Sequence, residues 1–390
     1  MRPQARLQAA IEILDQVIEA AAHQGAAADT LVQRYFQTRR YAGSKDRAAV
    51  RELVYGAIRF TAERPYSGRA ALIGWLESEA PDQLALFDGS AHAPSPVEPF
   101  ETRARAILAP LWLEPAMRAR FGEGFEAEAR ALTARAPLDL RVAPGADMDE
   151  VAAELGAVPV PGLPRALRLA EPRPLERHPL FEAGAVEVQD AGSQHVVAFA
   201  AARAGETVID LCAGAGGKTL GLVADMCGEG RLIASDTDRT RLQAMGPRLM
   251  RARCDAVVEP RLLNPGRERE ALADLEGAAD LVLVDAPCSG TGTWRRNPEL
   301  RWRLTADRLA RLTHVQARLI DLGAWLLKPG GRLVYAVCSV LAEEGTDQAQ
   351  AAAARLGFAL SGSRALTPLS DGYDGFFVAR LDKPGETWLS

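Results

Sequence analysis

Apolar positions recur every three to four residues over the first part of the chain. Leu7, Ile11, Leu14 and Ile18 form one such stripe, the spacing of a helix with one buried face. A second helical pattern covers 46–60 and a third covers 102–135. Between them, residues 81 to about 102 hold turn formers and scattered acids, and predict a loop. The texture changes at Pro137. LDLRV reads as a short strand and DMDEVAAELG as a helix; six prolines follow, at 159, 161, 164, 172, 174 and 179. Proline has no N–H to give a ladder, so this stretch predicts connector or edge structure. From Glu206 onward strand and helix patterns alternate. Strands are predicted at 207–211, 231–235, 256–263, 280–284, 332–337 and 375–381, and helices at 219–226, 240–254, 306–327 and 343–356. Such alternation predicts a parallel, doubly wound α/β sheet, in which ligands bind beyond the carboxyl ends of the strands. The expected organisation is a helical domain at 1–135, a small α+β subdomain at 136–190 and an α/β domain at 191–390.

Length and composition agree with this picture. A chain of 390 residues, 48% of them apolar, predicts two or three domains and excludes wholesale disorder. No apolar run approaches the roughly 18 residues of a membrane span. Glu12, Asp15 and Glu19 interrupt the first apolar stripe, which excludes a signal peptide. The five cysteines, at 212, 227, 254, 288 and 338, form no close pair. Neither a disulfide framework nor a metal site is expected, and a reducing cytoplasm is. With no coiled-coil seam, a monomer is expected.

The net charge of −5 argues against indiscriminate polyanion binding. Its distribution is uneven. Residues 34–59 and 294–318 each hold seven basic and two acidic side chains, and 42 of the 46 basic residues are Arg, whose planar fork suits phosphate. A solvated helix face explains either stretch alone equally well.

Chemistry-bearing residues gather at the predicted strand ends. VIDLCAGAGGKT, residues 208–219, runs from a strand through glycines into a helix, whose first N–H groups can face an anion. Asp236 ends the next strand, where a carboxylate can accept ribose hydroxyls. The layout fits an adenosine-containing cofactor without choosing which one. It is only a partial dinucleotide fingerprint, and Cys212 stands where a P-loop needs glycine.

DLVLVDAPCSGTG and RLVYAVCS then place Cys288 and Cys338 just beyond two buried-type strands. A cysteine pair there suits methylation at carbon 5 of a pyrimidine. That carbon becomes nucleophilic only after a thiolate adds at carbon 6, and the carbon-5 proton must later leave. Asp285 is placed to act on ring N3 or on the cofactor's amino group. Spacing does not say which cysteine attacks.

These motifs resemble the Sun/Fmu/Nop-type RNA cytosine-5 methyltransferases, which depend on S-adenosyl-L-methionine. The likeness runs through DLCAGAGGKT, ASDTD with Arg241, LVDAPCSGTG, RRNPELRW, LVYAVCS with Glu343 and Glu344, and DGFFVAR. PLDLRV and the stretch holding Gln189, Asp190, Ser193 and Gln194 resemble the family's entry to the catalytic domain. RRYAGSKDRAAVRELVYGAIR resembles the NusB-like helical domain of its bacterial small-subunit rRNA members. The resemblance implies a Rossmann-like catalytic domain, an RNA substrate, rRNA first, and 5-methylcytidine as product. It implies that Cys338 attacks carbon 6 and that Cys288 assists proton loss and release. It places the cofactor on Cys212, Ala213, Gly214, Ala215, Gly216, Gly217, Lys218, Asp236, Arg241, Asp285 and Pro287. Three departures stand out: Val337 replaces a common Thr, Ala215 replaces a common Pro, and the third strand ends in LLNP without an acid, leaving Asn264 as the adenine-side candidate. The competing readings are an RNA-assembly factor without turnover, a tRNA methyltransferase, and a dinucleotide dehydrogenase that gives DAPCSG no role. The arginines of 294–318 are expected on phosphates, with Trp294 and Trp302 either stacking on bases or packing in a core.

Overall fold

Four helices build the first core: Pro3–Ala22, Ala28–Gln37, Ser44–Phe60 and Gly68–Glu79. Leu7, Ile11 and Leu14 are buried along the first of them and Ile18 packs at the margin, as their spacing predicts. Each fully buried aliphatic side chain contributes roughly 1.5–3 kcal/mol. Ser67 caps the fourth helix by accepting the Ala70 N–H at 3.1 Å, and Asp15 accepts the Gly68 N–H at 2.6 Å. The third predicted helical region is helical only at Glu114–Phe121 and Phe125–Thr133. Residues before them run extended, because Ile107 bonds across to the chain around Thr61 through Ile107 N–H to Phe60 O and Ala62 N–H to Ile107 O.

The computed structural model describes residues 1–23, 25–171 and 173–385. Pro172 therefore lies outside the described residues. The chain divides into two compact units: Met1–Arg135 with Thr293–Arg308, and Ala136–Gly292 with Leu309–Ser390. Residues 293–308 thus group with the amino-terminal helices although they lie between two stretches of the α/β unit. Among the described residues, no helix is long and apolar enough to cross a membrane.

The second unit holds two sheets. The smaller contains β1 (Asp139–Val142), β2 (Ala157–Pro159), β3 (Ala166–Leu169) and β4 (Val186–Val188), all antiparallel in the order β2-β3-β1-β4. The proline-rich stretch thus supplies a true edge strand, β2, ending at Pro159. It also supplies an internal strand, β3, between its prolines, which the proline argument did not anticipate.

The larger sheet contains β5 (Thr207–Asp210), β6 (Arg231–Asp236), β7 (Val258–Leu262), β8 (Ala279–Asp285), β9 (Leu327–Val337), β10 (Ala359–Leu366) and β11 (Phe376–Asp382). Its order is β10-β11-β9-β8-β5-β6-β7. β5 to β9 are parallel. Val208, Ile209 and Leu281 to Val284 are wholly buried, as strands covered on both faces require. β11 runs antiparallel to β9, and β10 antiparallel to β11. β10 was not predicted: it is an edge strand exposed along most of its length, so no apolar alternation marks it. The parallel core brings the carboxyl ends of β5, β6, β8 and β9 to one side.

Candidate active site

The glycine turn follows β5 directly. Gly214 and Gly216 take φ of +55° and +83°. At Gly216 a Cβ would come within 2.6 Å of Met245, so position 216 excludes any larger residue. Three groups brace the turn. Asp236, at the end of β6, accepts the N–H of Gly214 at 2.8 Å and that of Asp238 at 2.8 Å. Arg248 donates to the Ala215 carbonyl at 2.8 Å, and Gln189 donates to that of Gly217 at 3.0 Å. Glu187 holds Arg248 at 3.1 Å, so the small sheet supports the turn through β4. Arg241 lies alongside Gly214, 3.5 Å from where its Cβ would be.

Beneath the turn sits Asp210, fully buried, accepting the Thr219 hydroxyl at 2.7 Å. Burial, outweighing that hydrogen bond, pushes its carboxyl up to about 7. Burial also raises the Cys212 thiol, with Asp285, Asp210 and Asp236 adding to it. Asn264 follows β7 on the exposed surface.

β8 and β9 are neighbours, so their ends meet. Cys288 Sγ and Cys338 Sγ lie 3.3 Å apart, and both residues are half-buried rather than sealed in the core. The hydrogen bond to Cys338 and burial push the Cys288 thiol well up, so Cys288 holds its proton tightly. Lys218 Nζ donates to Asp285 Oδ2 at 2.7 Å. Burial opposes the ammonium charge, but Asp285, Asp190 and Cys338 outweigh it, and the Lys218 pKa is raised.

A buried polar network fixes the two cysteine loops. Glu344, wholly buried, accepts the Ser289 N–H at 2.8 Å and the Gln316 amide at 2.9 Å, and the Ser289 hydroxyl closes on its other oxygen. Thr291 and Ser339 hydroxyls meet at 3.0 Å, and Thr291 accepts the Val340 N–H at 3.0 Å. Gly292 N–H donates to the Cys338 carbonyl at 3.1 Å. Gln316 also donates to the Pro287 carbonyl at 3.0 Å. The residue after each cysteine is therefore tied to one buried carboxylate or to its hydroxyl partners.

The fold and this arrangement have counterparts among known proteins. The family model for 16S rRNA methyltransferase RsmB/F matches residues 197–382. The ribosomal RNA small subunit methyltransferase B of Citrobacter koseri is 32% identical, over 87% of this chain and 91% of its own length. This chain belongs to the RsmB/F methyltransferase family. The protein of the same name from Salmonella arizonae is 41% identical over 58% of this chain. In that alignment the chain spans about half of the relative, 53% of its length. The crystal structure of PH0851 has a similar fold, with a TM-score of 0.77 at 22% identity, covering 97% of this chain and 99% of its own.

Every family residue expected from the sequence in the glycine turn, at Asp236 and Arg241, and at Asp285, Pro287, Cys288 and Cys338 lies at the carboxyl side of the parallel strands. Within the arginine-rich stretch 294–318, the expectation for Arg301, Arg303 and the two tryptophans requires a correction. Trp294, Arg301 and Trp302 are buried in the helical unit. Arg301 donates to the carbonyls of Ile58 at 2.7 Å and Arg59 at 3.1 Å, the last turn of helix Ser44–Phe60, and Trp302 donates to Thr61 O at 2.9 Å. Arg303 donates to Gly25 O at 2.8 Å. These side chains cap and fill that unit and are not offered to phosphate. The sequence reading missed Gln316, Arg248 and Glu187. Only their contacts, far apart in sequence, mark them.

Proposed function

We propose that this protein methylates carbon 5 of a cytosine in 16S rRNA, with S-adenosyl-L-methionine as donor. The observation that carries the reading is the pair of sulfurs 3.3 Å apart at adjacent strand ends, with the Lys218–Asp285 pair beside them. Family membership supports rRNA as the substrate.

The residues present fit the cofactor. The turn at 212–218 excludes a side chain at Gly216 and opens onto the N-terminus of helix Gly217–Asp225. Asp236 would take the ribose, with Arg241, Asp285 and Pro287 around the remainder. When bound, the cofactor supplies the methyl group. The chain's own side chains do the rest. Cys338, as thiolate, bonds to carbon 6. Lys218 and Asp285 form a proton-carrying pair that can hydrogen-bond the ring N3 edge and stabilise charge there. After transfer, Cys288, once its own thiol proton has passed to water, takes the carbon-5 proton as thiolate. The electrons of that bond restore the ring double bond and expel Cys338. The high proton affinity of Cys288 suits it to that step.

The test is transfer of labelled methyl to unmodified 16S rRNA, with bisulfite mapping of the product. Cys338→Ala is expected to lose transfer and keep cofactor binding. Cys288→Ser is expected to accumulate a covalent protein–RNA complex on denaturing gels. Full activity in Cys338→Ala would overturn the assignment.

A further inference from the structure

The helical unit contains a cleft for which methyl transfer has no use. It opens where helices Ser44–Phe60 and Gly68–Glu79 face each other, with a volume of about 770 Å³. That falls in the roughly 300–1,000 Å³ range of small-molecule pockets.

Arg59 and Arg135 both line the cleft, and among the described residues neither takes part in an ion pair. The Arg59 Nε is buried without a hydrogen-bond acceptor. Burial lowers the pKa of Arg59, and Arg135 adds to the lowering, which means the two guanidinia repel each other across the cleft. Two like charges held together this way are stabilised by an anion between them. The neighbouring Arg51 is different: Asp29 binds it at 2.9 Å and also accepts the Tyr55 hydroxyl at 2.6 Å, so that carboxylate is already matched. The other acids of the lining, Glu52 and Glu79, are exposed at the rim, where water and salt screen them.

The cleft also has a flat wall. Trp75 lines it, half-buried, with its indole laid on the backbone at Gly56. A Cβ at Gly56 would come within 2.5 Å of the ring. Glycine inside a helix costs roughly 0.5–1 kcal/mol relative to alanine. Here it seats the indole. A seated aromatic face beside two guanidinia that no carboxylate holds is what an unstacked base and its phosphate require.

We propose that this cleft binds one unpaired nucleotide of the RNA substrate, with the base against Trp75 and its phosphate between Arg59 and Arg135. The proposal deepens the RNA-substrate reading above and rests on it. An acidic peptide would satisfy the arginines but leave the indole without a planar partner.

The experiment uses the full chain and a short single-stranded oligoribonucleotide carrying 4-thiouridine. Irradiation is expected to crosslink it to the peptide containing Trp75, and Trp75→Leu is expected to remove that crosslink. The double variant Arg59→Gln, Arg135→Gln is expected to weaken binding of a 16S rRNA fragment roughly tenfold. It should also flatten the slope of log affinity against log salt by about 0.7, the loss of one single-strand phosphate contact. Turnover at saturating RNA should stay within about twofold. Crosslinks confined to other peptides, an unchanged salt slope, or displacement by polyglutamate as effective as by RNA would each overturn the cleft assignment. The two readings fail separately. A protein that crosslinks at Trp75 but transfers no methyl keeps the cleft and loses the methylation. One that methylates but crosslinks elsewhere does the reverse.

Discussion

Lys218 in the α/β unit and Arg301 in the helical unit are both cations withdrawn from water, and they are satisfied by different means. Lys218 has a carboxylate, Asp285, at 2.7 Å. Arg301 has backbone carbonyls, chiefly those that end helix Ser44–Phe60. Their proton affinities diverge accordingly. Lys218 is raised by its anionic neighbours against the effect of burial, whereas burial and then Arg59 bring Arg301 down to about 9. Carbonyl dipoles at a helix end hold a cation in place and leave its charge only partly compensated. A carboxylate compensates the charge and makes the pair a proton carrier. The first arrangement serves architecture and the second serves chemistry.

Exchanging either cation for methionine breaks the comparison most sharply. Arg301→Met leaves several buried carbonyls without donors and should destabilise the helical unit by about 3 kcal/mol. Thermal unfolding measures this, and the protein that remains folded at low temperature should bind cofactor normally. An unchanged melting temperature would show that the carbonyls find other donors. Lys218→Met should leave the melting temperature nearly unaltered but cut methyl transfer by about 100-fold. A loss of stability with normal turnover would reverse the roles assigned to the two cations.

Two smaller effects sharpen the picture within the α/β unit. Glu344→Gln keeps the size of the group that anchors Ser289 and Gln316 but weakens its charge-assisted bonds. The two sulfurs should then be held less tightly, with turnover down about tenfold and the trapped protein–RNA complex of Cys288→Ser forming more slowly. Unchanged trapping kinetics would remove Glu344 from the positioning of the pair. Asp210→Asn tests the carboxyl beneath the turn. Its folded-state pKa, about 7, lies above the unfolded value, so the native state binds the extra proton. Stability therefore falls as pH rises from about 4 to 7, and the penalty is complete above that window. The variant should match the parent at pH 4 and exceed it at pH 8 by on the order of 1 kcal/mol. Equal melting temperatures at both pH values would show that Asp210 ionises normally.

The α/β unit was legible because its requirements are local. A strand buried on both faces must be a continuous apolar run, and its carboxyl end must then carry whatever chemistry the site has. Thus 280–284 and 332–337 announced both the strands and the cysteines that follow them. Asp236 was visible for the same reason. β10 was not, because an exposed edge strand is under no pressure to alternate. The brace of Glu187, Arg248 and Ala215 and the anchor of Gln316 and Glu344 were hidden too. Each joins residues tens of positions apart, and no periodicity encodes such a pairing. Arg301 and Arg303, within 294–318, misled in a more instructive way. Charge density alone suggested phosphate, yet Arg301 is spent on the last turn of a helix more than two hundred positions earlier. Composition counts guanidinia but cannot tell which carbonyls already hold them.

The excursion at Thr293–Arg308 has a practical consequence for anyone dissecting the molecule. The polypeptide leaves the α/β unit just after the Cys288 loop, deposits two tryptophans and Arg301 among the amino-terminal helices, and returns at Leu309. A fragment trimmed to begin at Ala136 would keep every cysteine and glycine of the site, yet it would strip the protein lining from that returning loop and leave its indoles facing solvent. The two units are genetically interleaved, and a single cut does not part them.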